Sequence, residues 1–283
     1  MAMAKRTMMD QHAELKAAHP DTVLFFRMGD FYELFHDDAE VGAEVLGLTL
    51  TARDKASGTP IPMAGFPWHQ LEEQLRIMLR TGRKVAVAEQ EEELREGAKL
   101  LERVVTRVYT PGSLYEEGLL ETEQATVLAA VVETSETLGL AVLDAASSSG
   151  QCMQFDGQDR WSRLHDEVLR WSPSELVVRK ALAANTSFGA LVADLPQTVI
   201  SQHACTAKRG KAGLCAALGV TDLGHLDLDA SAAALDAAGL GVDYLTTMLH
   251  ANVALVDLDV AEDQGAMVLD RTTLRNLEVI STL

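Results

Sequence analysis

Phe31, Tyr32 and Glu33 follow Gly29-Asp30 in the stretch Arg27-Met28-Gly29-Asp30-Phe31-Tyr32-Glu33-Leu34-Phe35. An aromatic ring reaching out of a turn can wedge between stacked bases. A carboxylate two residues further on can accept from a base N–H or, once protonated, donate to a ring nitrogen. The same spacing also has a purely structural reading. Asp30 as N-cap with Glu33 three residues later is a capping box, and Phe31 with Phe35 is an i,i+4 pair on a helix. The apolar run Val23-Leu24-Phe25-Phe26 reads as a buried strand, Gly29 as a break, and Asp30 to Leu46 has helical spacing. The expected arrangement is therefore strand, tight loop, helix.

The elements that must hold this stretch are of mixed type. Leu48 to Thr51 is β-prone and leads into a loop, residues 52–59, with Lys55 near its tip. Trp68 to Thr81 has one apolar face, Leu71, Leu75, Met78 and Leu79, and Gly82 follows as a helix stop. Lys84 to Gln90 and Arg103 to Tyr109 read as strands, the second ending at Pro111-Gly112. Helices and strands interleaved at these spacings predict α/β layers.

A second α/β domain is expected from about Thr126 onward. Thr126 to Val132 and Leu138 to Asp144 read as a hairpin, Gln151 to Phe155 as a third strand, Trp161 to Trp171 as a helix, and Leu176 to Arg179 as a strand. Asp229 to His250 is Ala- and Leu-rich, and Gly239-Leu240-Gly241 within it predicts two helices or a kink. Asp270 is a good N-cap for a helix over Arg271 to Leu283.

With 283 residues the chain has room for about two domains, each with its own core. No apolar run approaches the ~20 residues of a membrane span, and no signal segment opens the chain. Cys152, Cys205 and Cys215 form no C-x-x-C pair, so reduced thiols in a cytoplasm are expected. The eight histidines show no metal-ligand spacing; His69 sits in the proline-rich stretch, where local hydrogen bonding is its expected role. The formal net charge of −18 argues against a general DNA-gripping surface. Residues 1–124 carry 14 Lys and Arg against 22 Asp and Glu, and the remainder carries 10 against 20, so neither half is basic. Either basic residues are concentrated locally, or this chain is not the part that supplies most of any DNA affinity.

The stretch Arg27 to Phe35 resembles the signature of the bacterial MutS family of DNA mismatch-repair proteins. Four further blocks resemble that family in order: Pro60-Ile61-Pro62-Met63-Ala64-Gly65-Phe66-Pro67-Trp68-His69, a proline-rich loop; Val85-Ala86-Val87-Ala88-Glu89-Gln90; Val105-Thr106-Arg107-Val108-Tyr109-Thr110-Pro111-Gly112-Ser113; and Leu269-Asp270-Arg271-Thr272-Thr273-Leu274-Arg275-Asn276-Leu277-Glu278. The resemblance implies a mismatch-binding domain over residues 1–124 and a connector domain over 125–250. Residues 251–283 would be a linker and the start of a helical lever domain. It further implies a mixed sheet flanked by helices in the first domain and a ribonuclease-H-like layer in the second.

The resemblance implies that Phe31 enters the minor groove at a mispair while Glu33 hydrogen-bonds the mispaired base. Tyr32 would pack into the domain. Met28 and Met63 would line the groove beside Phe31, and Arg53, Lys55 and Arg107 would contact phosphates. The partners implied are mismatched double-stranded DNA and a MutL-type repair protein, with a homodimer for the full-length protein. ATP and Mg²⁺ are expected only in the family's C-terminal ATPase domain. No G-x-x-x-x-G-K-[ST] loop occurs here, and Lys208-Arg209-Gly210-Lys211-Ala212-Gly213 lacks its spacing. An N-terminal, non-enzymatic DNA-binding piece of a cytoplasmic, nucleoid-associated protein is the expectation.

Departures from the family pattern are local. Glu91-Glu92-Glu93 replaces an Asp-Pro pair and basic turn, Ala88 a common cysteine, and Trp68 a common tyrosine, while Ala145 to Gly150 is one residue longer than the usual turn. A different class of function, a metal-dependent nuclease built on the second domain, would use Asp144 at a strand end. It requires several carboxylates converging on one or two ions, and no matching spacing is found.

Overall fold

Five successive buried residues, Thr22 to Phe26, form most of β1 (Thr22–Met28), a strand covered on both faces. The computed structural model describes residues 6–53, 59–91, 101–113, 127–224 and 231–261. The chain divides into two compact units at Pro111–Gly112.

In the first unit, helix α1 (Met8–Ala18) opens with a capping box between Thr7 and Asp10. After β1 the chain reverses and pairs antiparallel as β2 (Phe31–Phe35), then enters α2 (Asp37–Leu46) and the short β3 (Thr51–Arg53). Strand β4 (Ile61–Pro67) passes through a 3₁₀ turn, Trp68–Gln70, into α3 (Leu71–Arg80), followed by β5 (Lys84–Gln90) and β6 (Arg103–Tyr109). The six strands form one mixed sheet in the order β3-β4-β2-β1-β5-β6, with β1 and β5 parallel.

Two expectations for this unit are corrected. Asp30 to Phe35 does not begin a helix. Gly29, with φ +58°, starts a two-residue reversal, and the register Met28↔Phe31, Arg27↔Tyr32, Phe26↔Glu33 makes a β-hairpin. The Asp30–Glu33 capping box therefore does not exist, and the helix begins only at Asp37. Cross-strand pairing and the burial of Leu34 and Phe35 outweigh the i,i+4 aromatic spacing. Nor is the proline-rich stretch a loop. It is β4, hydrogen-bonded between β3 and β2. Pro62 is tolerated because it pairs near strand ends, its carbonyl accepting from His36 N–H at 3.0 Å just past β2.

Side chains alternate across the sheet, so residues paired in register share a face. On one face lie Leu24, Phe26, Phe35, Ala86, Ala88 and Val108, with Met8, Met9 and Leu15 of α1 packed onto them. On the other lie Phe25, Tyr32 and Phe66, whose rings meet edge-on or tilted. Helices α2 and α3 complete that side, where Leu75, Met78 and Leu79 are buried.

The second unit begins with β7 (Leu128–Glu133), β8 (Leu138–Asp144) and β9 (Ser149–Phe155), all antiparallel neighbours. Helix α4 (Arg160–Trp171) crosses to β10 (Glu175–Val178), parallel to β7. Short helices α5 (Lys180–Ala183) and α6 (Thr186–Ala193) lead to β11 (Val199–Gln202), parallel to β10, and then come α7 (Ala207–Leu218) and α8 (Ala232–Leu249). The order is β11-β10-β7-β8-β9-β12, so the three-strand meander followed by a helix and a parallel strand matches the layer read from the sequence. Strand β12 (Asp257–Ala261) pairs parallel with β9, so part of the segment expected to lead into a lever domain completes this sheet.

Helix α8 runs unbroken through Gly239 and Gly241, so the segment is one helix and not two. These glycines serve close approach. A Cβ on Gly239 would lie 2.6 Å from the carbonyl carbon of Gly210 in α7, and one on Gly241 would lie 2.7 Å from Leu143 Cδ1. Lys208 to Gly213, the nearest thing to a phosphate loop, lies inside α7. The expected helix over residues 271–283 and the Asp270 cap lie outside the described residues.

Candidate nucleic-acid interface

The hairpin β1–β2 changes how Phe31 and Glu33 relate. On a strand, residues two apart point to the same side, whereas on a helix they diverge. Phe31 and Glu33 therefore project together from one face, and Tyr32 projects from the other. Phe31 is 45% exposed, unusual for a phenylalanine in a strand, while Tyr32 is 2% exposed. The Tyr32 hydroxyl donates to Glu89, and burial together with that bond raises its pKa well above the ordinary tyrosine range. Packing of Tyr32 into the domain is as expected.

Register places the neighbours. Phe31 lies between Met28 on β1 and Pro67 on β4, Glu33 between Phe26 and Gly65, and Phe35 is paired with Met63. Met28, Ile61 and Met63 are half-buried and pack at the margin of the apolar face that α1 covers. Arg53 pairs with Ile61 and so belongs to the same face. Five of the residues singled out from the sequence, Met28, Phe31, Glu33, Arg53 and Met63, are thus assembled on one side of the β3-β4-β2-β1 half of the sheet. Arg107 is not. It sits on β6 at the far edge, paired with Val87 on the opposite face, and its guanidinium lies 5.6 Å from the Tyr109 ring centroid. Lys55 lies outside the described residues, as do residues 92–96 of the acidic stretch.

Glu33 has an unusual seat. Gly65, its partner across the sheet, has no side chain, and the Glu33 carboxyl occupies the space that one would fill. A Cβ on Gly65 would stand 2.7 Å from Glu33 Cδ. Partial burial there raises the Glu33 pKa, with attraction to Arg53 opposing the shift. A carboxyl held this way is easier to protonate than a free glutamate. It can accept from a base N–H when ionised and donate to a ring nitrogen when neutral.

Behind Phe31, on the Tyr32 face, sequence reasoning missed two participants. Arg27 points its guanidinium at the Tyr32 ring, 5.2 Å from the centroid, and at the Trp68 ring, 5.1 Å from the centroid. Trp68 is half-exposed. These residues, with His69, Glu72, Glu89 and Gln90, line a cleft of about 720 Å³. The signal in the sequence is an Arg and an aromatic placed symmetrically about Gly29-Asp30, Arg27 and Tyr32, which become cross-strand partners in a hairpin and which a helical reading of Asp30 to Leu46 hides.

In the second unit Asp144, the residue a nuclease would need, is occupied locally. Its Oδ1 accepts from Ala146 N–H at 2.9 Å and from Ser147 N–H at 3.3 Å, closing the turn between β8 and β9. Among the described residues no group of three or more His, Cys, Asp or Glu is placed to hold a metal ion. None of the described helices is long and apolar enough to cross a membrane.

Comparison with known proteins bears on both units. Residues 6–118 match the family model of MutS domain I, and residues 126–257 match that of MutS domain II. The chain is 32% identical over 284 residues to the DNA mismatch repair protein MutS of Syntrophomonas wolfei subsp. wolfei, an alignment covering 98% of this chain and 33% of that protein. The chain therefore spans about a third of the length of this curated relative.

Proposed function

The chain belongs to the MutS family, and on that premise we propose that its first domain detects mispaired bases in duplex DNA. The observation that carries this reading is the pair Phe31 and Glu33, an exposed ring and a half-buried, pKa-raised carboxyl side by side on one sheet face.

Unstacking one step of paired B-DNA costs a few kcal/mol, and a mispair has already lost part of that stacking. Phe31 pushed in from the minor groove replaces the lost contact and kinks the duplex there. At a matched step the same insertion must break sound stacking. Discrimination then follows deformability rather than sequence, which suits detection of many kinds of error. Glu33, on the same face, meets the edge of the displaced base and adds a hydrogen bond that a stacked, paired base offers less readily. Beside phosphates the carboxylate is repelled, so matched DNA is held less tightly. Met28 flanks the ring, Met63 stands further along the same face opposite Phe35, and Arg53, which attracts Glu33, would meet backbone phosphate.

The second domain is assigned a relaying role and the contact with a MutL-type partner, and the two domains together a binding function without bond-making steps. A second reading, nuclease action through Asp144, has no supporting observation, since that carboxylate caps its own turn. Titration of the protein against a mismatched duplex and its matched counterpart tests the proposal. Preferential binding of the mismatch is expected, and equal affinity for both would reject it.

A further inference from the structure

The turn that carries Phe31 is tied down at three of the four backbone groups of its central residues. Gly29 N–H donates to Gln90 Oε1 at 3.2 Å, Gly29 C=O accepts from Arg27 Nε at 2.5 Å, and Asp30 C=O accepts from Trp68 N–H at 2.9 Å. A two-residue hairpin turn needs none of these to form. Their effect is to fix where the turn points. Arg27 is the centre of the arrangement, because its guanidinium also lies within 5.2 Å of both the Tyr32 and the Trp68 ring centroids.

The face matters as much as the distances. Arg27 is paired in register with Tyr32, so it stands on the side of the sheet opposite Phe31. It is half-buried between a fully buried ring and a half-exposed one, Tyr32 and Trp68. A cation stacked there does not share the surface from which the wedge projects. It can act on DNA reading only through the turn.

We propose that Arg27, clamped between Tyr32 and Trp68, is a positioning residue that holds the Gly29–Asp30 turn so that Phe31 is presented ready to insert. This rests on the reading of Phe31 as the mismatch probe. Insertion of a ring into a base step tolerates little misplacement, and a turn free to rock would lose part of its binding energy to ordering. Lysine cannot substitute. It keeps the charge but lacks the planar group that stacks on two rings while donating sideways to Gly29 C=O. Trp68 contributes twice, through its ring and through its backbone N–H. The ring alone is what a Trp68→Leu change removes.

The experiment measures affinity for mismatched and matched duplex across a salt series, in the protein as encoded, for wild type, Arg27→Lys, Trp68→Leu, Trp68→Tyr and Phe31→Ala, and for Arg27→Lys combined with Phe31→Ala. The mismatch-to-match ratio should fall about two- to ten-fold in Arg27→Lys and in Trp68→Leu, the scale of an exposed stacked guanidinium and one hydrogen bond. Trp68→Tyr should restore most of it, and the salt slope should stay unchanged. In the Phe31→Ala background Arg27→Lys should cause no further loss, because the two residues act as one device. A uniform drop in affinity for both duplexes with a shallower salt slope would make Arg27 a phosphate contact and overturn the proposal. So would an additive effect in the double variant, or an unchanged ratio in Trp68→Leu if the Arg27 variant fails to fold. A wild-type protein without mismatch preference would defeat the underlying reading itself. A wild type that discriminates, with Phe31→Ala abolishing the preference and Arg27→Lys leaving it intact, would defeat the clamp alone.

Discussion

Gly65 lies directly across the sheet from Glu33, and the Glu33 carboxyl rests in the space where a Gly65 side chain would be. The glycine is thus part of the carboxylate's environment. It supplies the partial burial that raises the Glu33 pKa while leaving the group reachable from the same side as Phe31.

Gly65→Ala should therefore release Glu33 rather than break the sheet. The crowded atoms belong to the far end of a flexible side chain, 2.7 Å from the new Cβ at Cδ, and can swing into solvent. Stability should change by no more than about 1 kcal/mol, the scale of a Gly→Ala change at a position whose backbone accepts it. The Glu33 pKa, followed by NMR titration, should drop toward the ordinary glutamate range. A pKa unmoved by the substitution would show that the shift has another origin.

Glu33→Gln tests the charge itself. Removing it relieves repulsion from phosphates, so affinity for matched duplex should rise, while the contact with a mispaired base persists through the amide. The mismatch-to-match ratio should shrink mainly by tighter matched binding, most strongly at low salt where screening is weakest. Because Glu33 sits in a strand, loss of a helix cap does not compete as an explanation. Matched-duplex affinity that stays constant throughout a salt series would reject the repulsion argument.

His12 should give the first unit an acid-side weakness. It is buried against Phe26 and Phe35, ring centroids 5.4 and 5.0 Å away, and its Nε2 has no hydrogen-bond partner among the described residues. Burial, and repulsion from His36 and Lys16, lower its pKa from 6.5 to about 4. The folded state thus holds the neutral ring, while the unfolded chain takes up a proton below about pH 6.5. The stabilisation is complete above pH 6.5 and is lost as pH falls toward 4, by up to about 3 kcal/mol. Denaturant titrations between pH 7 and pH 4 should show this decline, and His12→Leu should flatten it. An equal slope in the variant would assign the effect elsewhere.

Much of this arrangement is legible in the amino-acid sequence. Lys84 to Gln90 and Arg103 to Tyr109 agree with β5 and β6 residue for residue, because a continuous β-prone run just after Gly82 and an alternating one that ends at Pro111 leave little choice. The candidate residues can be picked out of the sequence, but not their geometry. Phe31 and Phe35 carry both a helical and a strand spacing, and only pairing with Met28, Pro67 and Gly65 decides between them. Prolines hid β4 because their cost depends on which neighbour each nitrogen faces, a fact of register and not of sequence. Gly239 and Gly241 read as a break or a kink for a similar reason: whether a glycine interrupts a helix or admits another backbone is settled by the partner, here Gly210 for Gly239. Arg107 reads from the sequence as an isolated cation, and strand parity places it on the other face.

The central claim is that Phe31 reads the mispair, and Phe31→Ala tests it most directly. The ring is 45% exposed, so its removal should leave the fold and thermal unfolding nearly unchanged. Stacking of an aromatic side chain on a base is worth ~1–3 kcal/mol, so the ratio of mismatch to match affinity should fall by about one to two decades. Wild-type discrimination retained in a folded Phe31→Ala protein would contradict the account.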